Sequence, residues 1–568
     1  MINNGQLIRV IVLCAMVFGL IAPIVLGLWQ TVKAAFGFMP ALGLLEWSTE
    51  PWQKLQNLSG FSTSLRLTLT TGFGATLVSF LLATGVCTTL QAYLRPSIVA
   101  RILTPFLATP HAAIAVGLTF VLAPSGWIAR MLSGPLGWEN PPDLSTVNDS
   151  WGLALMLGLI VKEVPFLLFL ILSALSQISI TNQMATARSL GYTPSHIWIK
   201  VIMPQVWPLI RLPFWVVLAY SLSVVDMAII LGPSNPPTLA VAVTRWFSSH
   251  ELSMLAPASA GALLQAMIVL LSLVFVYLCE LLIRHSGVWW LRKGSRGTSI
   301  NLGIWITTVC TIGLMILASL TLLSLFIWSL TWRWSFPRLI PESWSLRAWT
   351  NSFDSWGVAL GNTLALASAT TLISLIITIA WLETEDSANT TRSSWINSLI
   401  YLPLLVPQIT FLYGLNVVFL SINFSASYIA VIWAQTLFVF PYMMIALSDP
   451  WRAMDPRFTK VGAALGAGPW KRLISIKLHV LLRPILTAIS IGVAVSVAQY
   501  LPTLFIGAGR INTLTTEAVT LSSGSDRRIT AVYASLQAAL PFIIYLVAFL
   551  LPAVLHRNRR DLIGVFQK

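Results

Sequence analysis

Charge is what this sequence has least of. Asp, Glu, Lys and Arg make up 9% of its 568 residues, against about 25% in an ordinary water-soluble domain. A chain so poor in charge cannot clothe a water-facing surface, which excludes a soluble globular protein of this size. Cysteine is also scarce. Cys14, Cys87, Cys279 and Cys310 all lie in apolar runs with no CxxC spacing, so neither a disulfide framework nor a zinc site is expected. The six His are dispersed and build no metal constellation. No Ser/His/Asp or paired-carboxylate arrangement supports an enzyme, and the phosphate-binding pattern G-x4-G-K-[ST] is missing. No cofactor is expected.

What is abundant is apolar sequence: 56% of residues, with mean hydropathy +0.81. About 20 apolar residues are needed to cross a bilayer as helix. Twelve such runs are expected, near 7–29, 66–91, 100–124, 151–175, 206–232, 257–284, 302–330, 358–382, 396–421, 427–449, 484–507 and 533–556. The fold class is therefore all-α, polytopic and membrane-embedded. The first run is too long for a signal-peptide core and has no clean A-x-A site, so it reads as a retained helix. Many of the 24 Trp fall at span ends (Trp29, Trp151, Trp289, Trp290, Trp332, Trp334), where interfacial belts form.

An even number of spans puts both termini on one side. With the N-terminus inside, cytoplasmic segments hold 22 of the 34 Lys and Arg, outer segments hold 11, and Lys162 lies within a span. Positive charge accumulates on the cytoplasmic side, so both termini are expected there. The net charge of +15 then reflects orientation rather than nucleic-acid binding.

Two polar segments break the apolar pattern and resemble each other. "MATARSLGYTPSHIWIKVIMPQ" (184–205) and "KVGAALGAGPWKRLISIKLHV" (460–480) share L-G-x-x-P-x4-I at an offset of 275. The offset recurs in Thr238-Leu239 and Thr513-Leu514, and as 276 in Pro165 and Pro441. Upstream it grows to 295–297, pairing the run from Leu67 with that from Asn362, Pro110 with Pro407, and Gly117 with Gly414. The excess falls in the loop around 123–150, where insertions belong. The sequence thus predicts two homologous halves, related as parallel repeats about an axis along the membrane normal. The first covers 1–283 (core about 60–283, polar loop 176–208). A linker follows at 284–301, then the second half at 302–568 (core about 355–556, polar loop 450–482). Within each polar loop, Gly permits a tight turn and Pro suits the first turn of the next helix. That short helix is expected to be two-faced: Ile197, Trp198 and Val201 against His196 and Lys200 in one copy, Leu473 and Ile474 against Lys471 and Arg472 in the other.

This pattern resembles the EAA loop, E-A-A-x3-G-x9-I-x-L-P, of binding-protein-dependent ABC importer permeases. Ala187, Arg188, Leu190, Gly191, Pro194 and Pro204 carry the first copy, with Val201 and Met203 at the expected distances. Leu465, Gly466, Pro469, Ile476 and Leu478 carry the second. Ala185 and Lys460 stand where the family has Glu, and His479 where it has Pro. The fused form resembles permeases of the ferric iron, thiamine, and sulfate or polyamine type. The resemblance implies an inner-membrane subunit whose two loops engage two cytoplasmic ATPase subunits, with a periplasmic solute-binding protein as the other partner.

Lys162 and Glu163 near the middle of the fourth run, and Asp226 in the fifth, are candidate pathway residues, because intramembrane charge is costly. The alternative is a structural brace, with Lys162 paired to Asp226. Their counterparts, near Phe438, Val439 and Leu501, are uncharged. His111 is a weaker pathway candidate, and Pro165 and Pro441 are expected to set kinks. An ion-coupled secondary transporter would share the duplication and the buried charges, but leaves the paired loops without a purpose.

Overall fold

The computed structural model describes residues 11–14, 16–90, 96–297, 302–388, 399–524 and 526–555. The start of the first predicted run (7–10), the end of the linker (298–301), the start of the ninth run (396–398) and the basic residues Arg9, Arg95, Arg392, Arg557, Arg559, Arg560 and Lys568 lie outside them.

The main helices, in chain order, are α1 (Ala22–Ala35), α2 (Phe61–Leu90), α3 (Pro96–Ala108), α4 (His111–Leu122), α5 (Trp127–Leu136), α6 (Leu153–Leu175), α7 (Ile180–Ser189), α8 (Met203–Ser223), α9 (Asp226–Leu231) and α10 (Leu239–Phe247). They continue with α11 (Leu255–Arg292), α12 (Leu302–Ser329), α13 (Phe353–Ala388), α14 (Gln408–Ser421), α15 (Tyr428–Ala453), α16 (Arg457–Ala464), α17 (Leu482–Ala498), α18 (Leu501–Gly507), α19 (Leu514–Ser522) and α20 (Arg527–Leu555). A small antiparallel pair, β1 (Thr331–Arg333) and β2 (Ser343–Trp344), forms the only sheet among the described residues. The protein is an all-α polytopic membrane protein.

Ten helices among the described residues are long and apolar enough to cross a bilayer, or eleven if the bent pair Pro469–Val480 and Leu482–Ala498 is one span. The difference from twelve has local causes. The ninth run resolves into a turn at Leu402–Leu405 and the 14-residue α14. That helix rises only about 21 Å, short of the roughly 30 Å hydrocarbon core. Pro403 and Pro407 sit at the two helix starts, where the missing N–H does no harm. The third run stays among the ten but is shifted: it begins as α3, restarts after extended Pro110 as α4, and counts as a span over His111–Leu136.

The bundle is woven. α1 packs most extensively against α14, and α12 against α2, α4 and α20. The contacts of α1 with α14 and of α12 with α2 and α4 place the first helix of each predicted half against the other half, whereas α20 belongs to the same half as α12. At both crossings a glycine faces main chain. A Cβ at Gly414 would overlap the Gly27 carbonyl, and a Cβ at Gly117 would overlap that of Thr321. Lipid tails are as apolar as leucine, so in a bilayer helices associate through close packing at small residues. α4, α6 and α15 are the most buried, whereas α11 and α12 present much of their apolar surface outward.

Candidate functional site

Both polar loops end their first helix in the same way. After α7, Gly191 takes φ +83°, with Gly191 N–H donating to Arg188 O (2.9 Å) and Tyr192 N–H to Ala187 O (3.1 Å). After α16, Gly466 takes φ +78°, with Gly466 N–H donating to Ala463 O (3.0 Å) and Ala467 N–H to Gly462 O (2.9 Å). This paired bonding is the Schellman stop, which places its C′ residue in the left-handed region, where a Cβ is unfavourable. Extended Thr193 and Gly468 then admit Pro194 and Pro469 at the start of a short helical turn. A π-helical turn follows in each, Trp198–Ile202 and Leu473–Lys477, at the same offset of 275. Such turns concentrate at functional sites.

Packing explains the small residues. Ala187 is buried in one cluster with Ile197, Trp198 and Ile202. A Cβ at Gly462, its counterpart, would strike Ile476. Leu190 and Leu465 are both exposed, Leu465 at 82%. The second loop adds exposed Phe458, Val461, Trp470 and Ile474, while the first adds Ile199. Pro194, Pro204, Pro469 and Arg188 are also at the surface, and Leu478 is half-buried.

The two-faced helix differs from expectation at lysine. Lys200 is buried rather than facing outward. Its Nζ donates to Ser295 O (2.7 Å) and lies 4.4 Å from the Trp290 ring centroid, and Thr193 N–H donates to Arg296 O (3.1 Å). The linker therefore clasps the first loop. Buried Lys477 holds the second loop through Glu383 (2.6 Å) and Asp386 (2.8 Å) at the end of α13, where Asp386 also accepts from Trp451 Nε1 and Glu385 pairs with Arg452. Sequence reasoning missed this acidic end, "ETED" (383–386), although a charge cluster closing a span is itself a visible signal. The helical segment runs straight from Pro194 into α8, but the second copy bends by 79° before α17.

The intramembrane charges separate. Lys162 Nζ donates to the carbonyls of Phe106 (2.9 Å), Leu107 (3.1 Å) and Thr109 (2.6 Å). These are the orphan acceptors at the end of α3, and a cation there satisfies both the bonds and the helix dipole. Lys162 is thus paired with main chain rather than with Asp226. Lys162→Met is expected to lower stability by about 3 kcal/mol through buried acceptors left unsatisfied. A fall in the thermal unfolding midpoint of the purified chain, with Lys162→Arg less affected, would show it.

Glu163 lies 3.6 Å from His111 Nε2. The His111 ring sits 4.5 Å from that of Tyr220, whose hydroxyl donates to Asp226 Oδ1 (3.4 Å). Asp226 opens α9 after a break at Val224–Val225. Tyr442 of α15 and Tyr500, just before α18, are within electrostatic reach of Glu163 and Asp226 respectively. The structure therefore gathers Glu163, Asp226 and His111 into one polar cluster with Tyr220, has Tyr442 and Tyr500 of the second predicted half in its electrostatic surroundings, and leaves Lys162 in a separate cap. The tyrosines were not foreseen, because nothing in their spacing links them to the carboxylates. Among the described residues no group of His, Cys, Asp and Glu could hold a metal ion.

Further agreement between distant segments is geometric. Leu239 N–H donates to Thr68 Oγ1 and Leu514 N–H to Thr363 Oγ1, both at 2.9 Å. Each bond anchors a nine-residue helix, α10 or α19.

No family model matches the sequence. Among curated proteins it is similar to the inner membrane ABC transporter permease protein YnjC of Escherichia coli (strain K12), with 32% identity over 453 residues, covering 77% of this chain and 78% of that protein.

Proposed function

The chain belongs to the inner-membrane permease subunits of ABC transporters, and from that premise we propose that it is the fused, two-repeat permease of an importer. As such a permease it is a multi-pass inner-membrane protein, a transporter subunit rather than a catalyst, and one that associates with ATPase subunits. In the reading proposed here, both termini are cytoplasmic, 1–283 and 302–568 are homologous halves, and solute passes between them. Two copies of the ATPase grip the loops centred on Gly191 and Gly466, and a periplasmic solute-binding protein delivers the solute.

The observation that carries this reading is the repeated loop itself: Schellman stop, proline-started turn and π-turn, each at a constant offset of 275. The paired threonine anchors and the reciprocal glycine crossings support duplication independently. Exposed apolar side chains on helices that precede and follow the turn give a partner groove something to bury. Glu163 and Asp226, buried between elements of both halves, favour a cationic solute.

The test is reconstitution in proteoliposomes with the ATPase and solute-binding protein encoded beside it. Uptake should require both partners and ATP. Cysteines at Leu190 and Leu465 should cross-link to the ATPase. Uptake driven by an ion gradient, with the permease alone, would instead establish the secondary-transporter reading.

A further inference from the structure

A second polar site lies at the opposite end of the bundle from the two loops. α12 begins just beyond the linker that clasps the first loop and rises about 42 Å over its 28 residues. Its far end, with β1 and the start of α20, borders an open cavity of about 320 Å3. Trp328, Thr331, Trp332, Trp334, Arg527 and Arg528 line it, together with Asp526.

The charges around this cavity do not balance. Arg528 is neutralised by Asp526, with Nε at 3.1 Å from Oδ1. Among the described residues Arg527 has only neutral partners: it donates to Ser125 Oγ (2.8 Å) and lies over the Trp328 ring at 5.5 Å. Behind it Arg130, only 4% exposed, spends its donors on carbonyls of Ser125, Trp334, Ser335 and Arg338. Arg130 and Arg527 both donate to Ser125, one at its carbonyl and one at its hydroxyl, and neither has an ion pair among the described residues. Two guanidinium groups without a counter-ion, at a low-dielectric wall, call for an anion. Guanidinium is suited to phosphate, which it binds through paired N–H donors.

The position selects the source. The cavity sits where two membrane-spanning helices end, and its walls are tryptophans of the kind that settle at the headgroup level. Below it on α12, Leu323 and Phe326 are exposed apolar residues, a surface for acyl chains. A soluble phosphate would gain nothing from them. We infer that this cavity binds the phosphodiester headgroup of a phospholipid, with Arg527 as its counter-ion and Trp328 and Trp332 as its walls. The inference does not depend on the direction of transport or on the ATPase contacts.

The experiment is native mass spectrometry and phosphorus analysis of the full chain in mild detergent, with thermal unfolding followed on adding phosphatidylglycerol or phosphatidylethanolamine. The wild type should retain phospholipid through delipidation and gain thermal stability from added lipid. Arg527→Gln should retain several-fold less and lose that gain, with Arg527→Lys between. Arg347→Gln, which removes a cation stacked on Trp332 but outside the cavity lining, should behave as wild type. If Arg527→Gln does not fold, a photoreactive phospholipid should label the peptide containing Thr331 and Trp332 in the wild type. Stabilisation by inorganic phosphate alone at matched ionic strength, capture of the solute-binding protein through Arg527, or equal lipid retention by Arg527→Gln and wild type would each overturn the proposal.

Discussion

Gly414→Leu is expected to remove nearly all folded protein, whereas Gly313→Leu on the exposed face of α12 is expected to be silent. Both changes add the same side chain to an apolar helix. At Gly313 nothing lies within reach of a new Cβ, but at Gly414 the new atom would overlap the Gly27 carbonyl and crowd Thr31 Oγ1 at 2.8 Å. A clashing side chain can be relieved by a rotamer change, but a clashing main chain moves only with its helix. Overpacking in a core costs about 1–3 kcal/mol when neighbours can adjust. Here α1 and α14 would have to part along an extensive contact, and total stabilities are only about 5–15 kcal/mol. The loss should exceed about 3 kcal/mol. The monodisperse yield in size-exclusion chromatography and the unfolding midpoint measure it. Gly117→Leu should reproduce the effect at the reciprocal crossing with Thr321. Equal yields for Gly414→Leu and Gly313→Leu would refute the close crossing.

That crossing was half visible in the sequence. Gly117 and Gly414 align as a repeated pair within apolar runs, and repetition of a glycine in a span points to close approach. What they approach was hidden, because Gly27 and Thr321 contribute main-chain atoms, and main chain is the same at every position. Lys162 shows the same limit. Its burial followed from its place in an apolar run, but its partners are three carbonyls about 55 residues away, with no side-chain signature. The turns at Gly191 and Gly466 were legible in full, since the left-handed conformation needs particular residue types and the Pro three positions later starts the next helix. The π-turns were not, because no residue type demands them. The clasp on Lys200 escaped for another reason: a lysine in an amphipathic helix reads as solvent-facing unless the segment 95 residues onward is known to return.

Gly466→Val is the sharpest test of the loops, because the space around Gly466 is open. A Cβ there meets nothing within 4 Å, so steric overlap plays no part and the cost is conformational alone. Holding an L-residue at φ +78° costs about 1–2 kcal/mol, and a β-branched one is a more severe outlier. Asn visits this region far more readily. The chain can escape by unwinding the Schellman stop, which swings Leu465 and Trp470 away from their present arrangement without disturbing the spans, since Lys477 remains tied to Glu383 and Asp386. Expected results are normal folded yield and an uptake rate and ATPase affinity reduced on the order of tenfold, the equivalent of about 1.4 kcal/mol. Gly466→Asn should stay near wild type. Gly468→Val, two residues on, should also be tolerated, because Gly468 is extended at φ −65° and faces open space. The contrast between two glycines two residues apart isolates the left-handed turn from mere bulk. If both valines weakened ATPase binding equally, the surface would be acting as a flat patch, and the turn would have no part in transmitting motion.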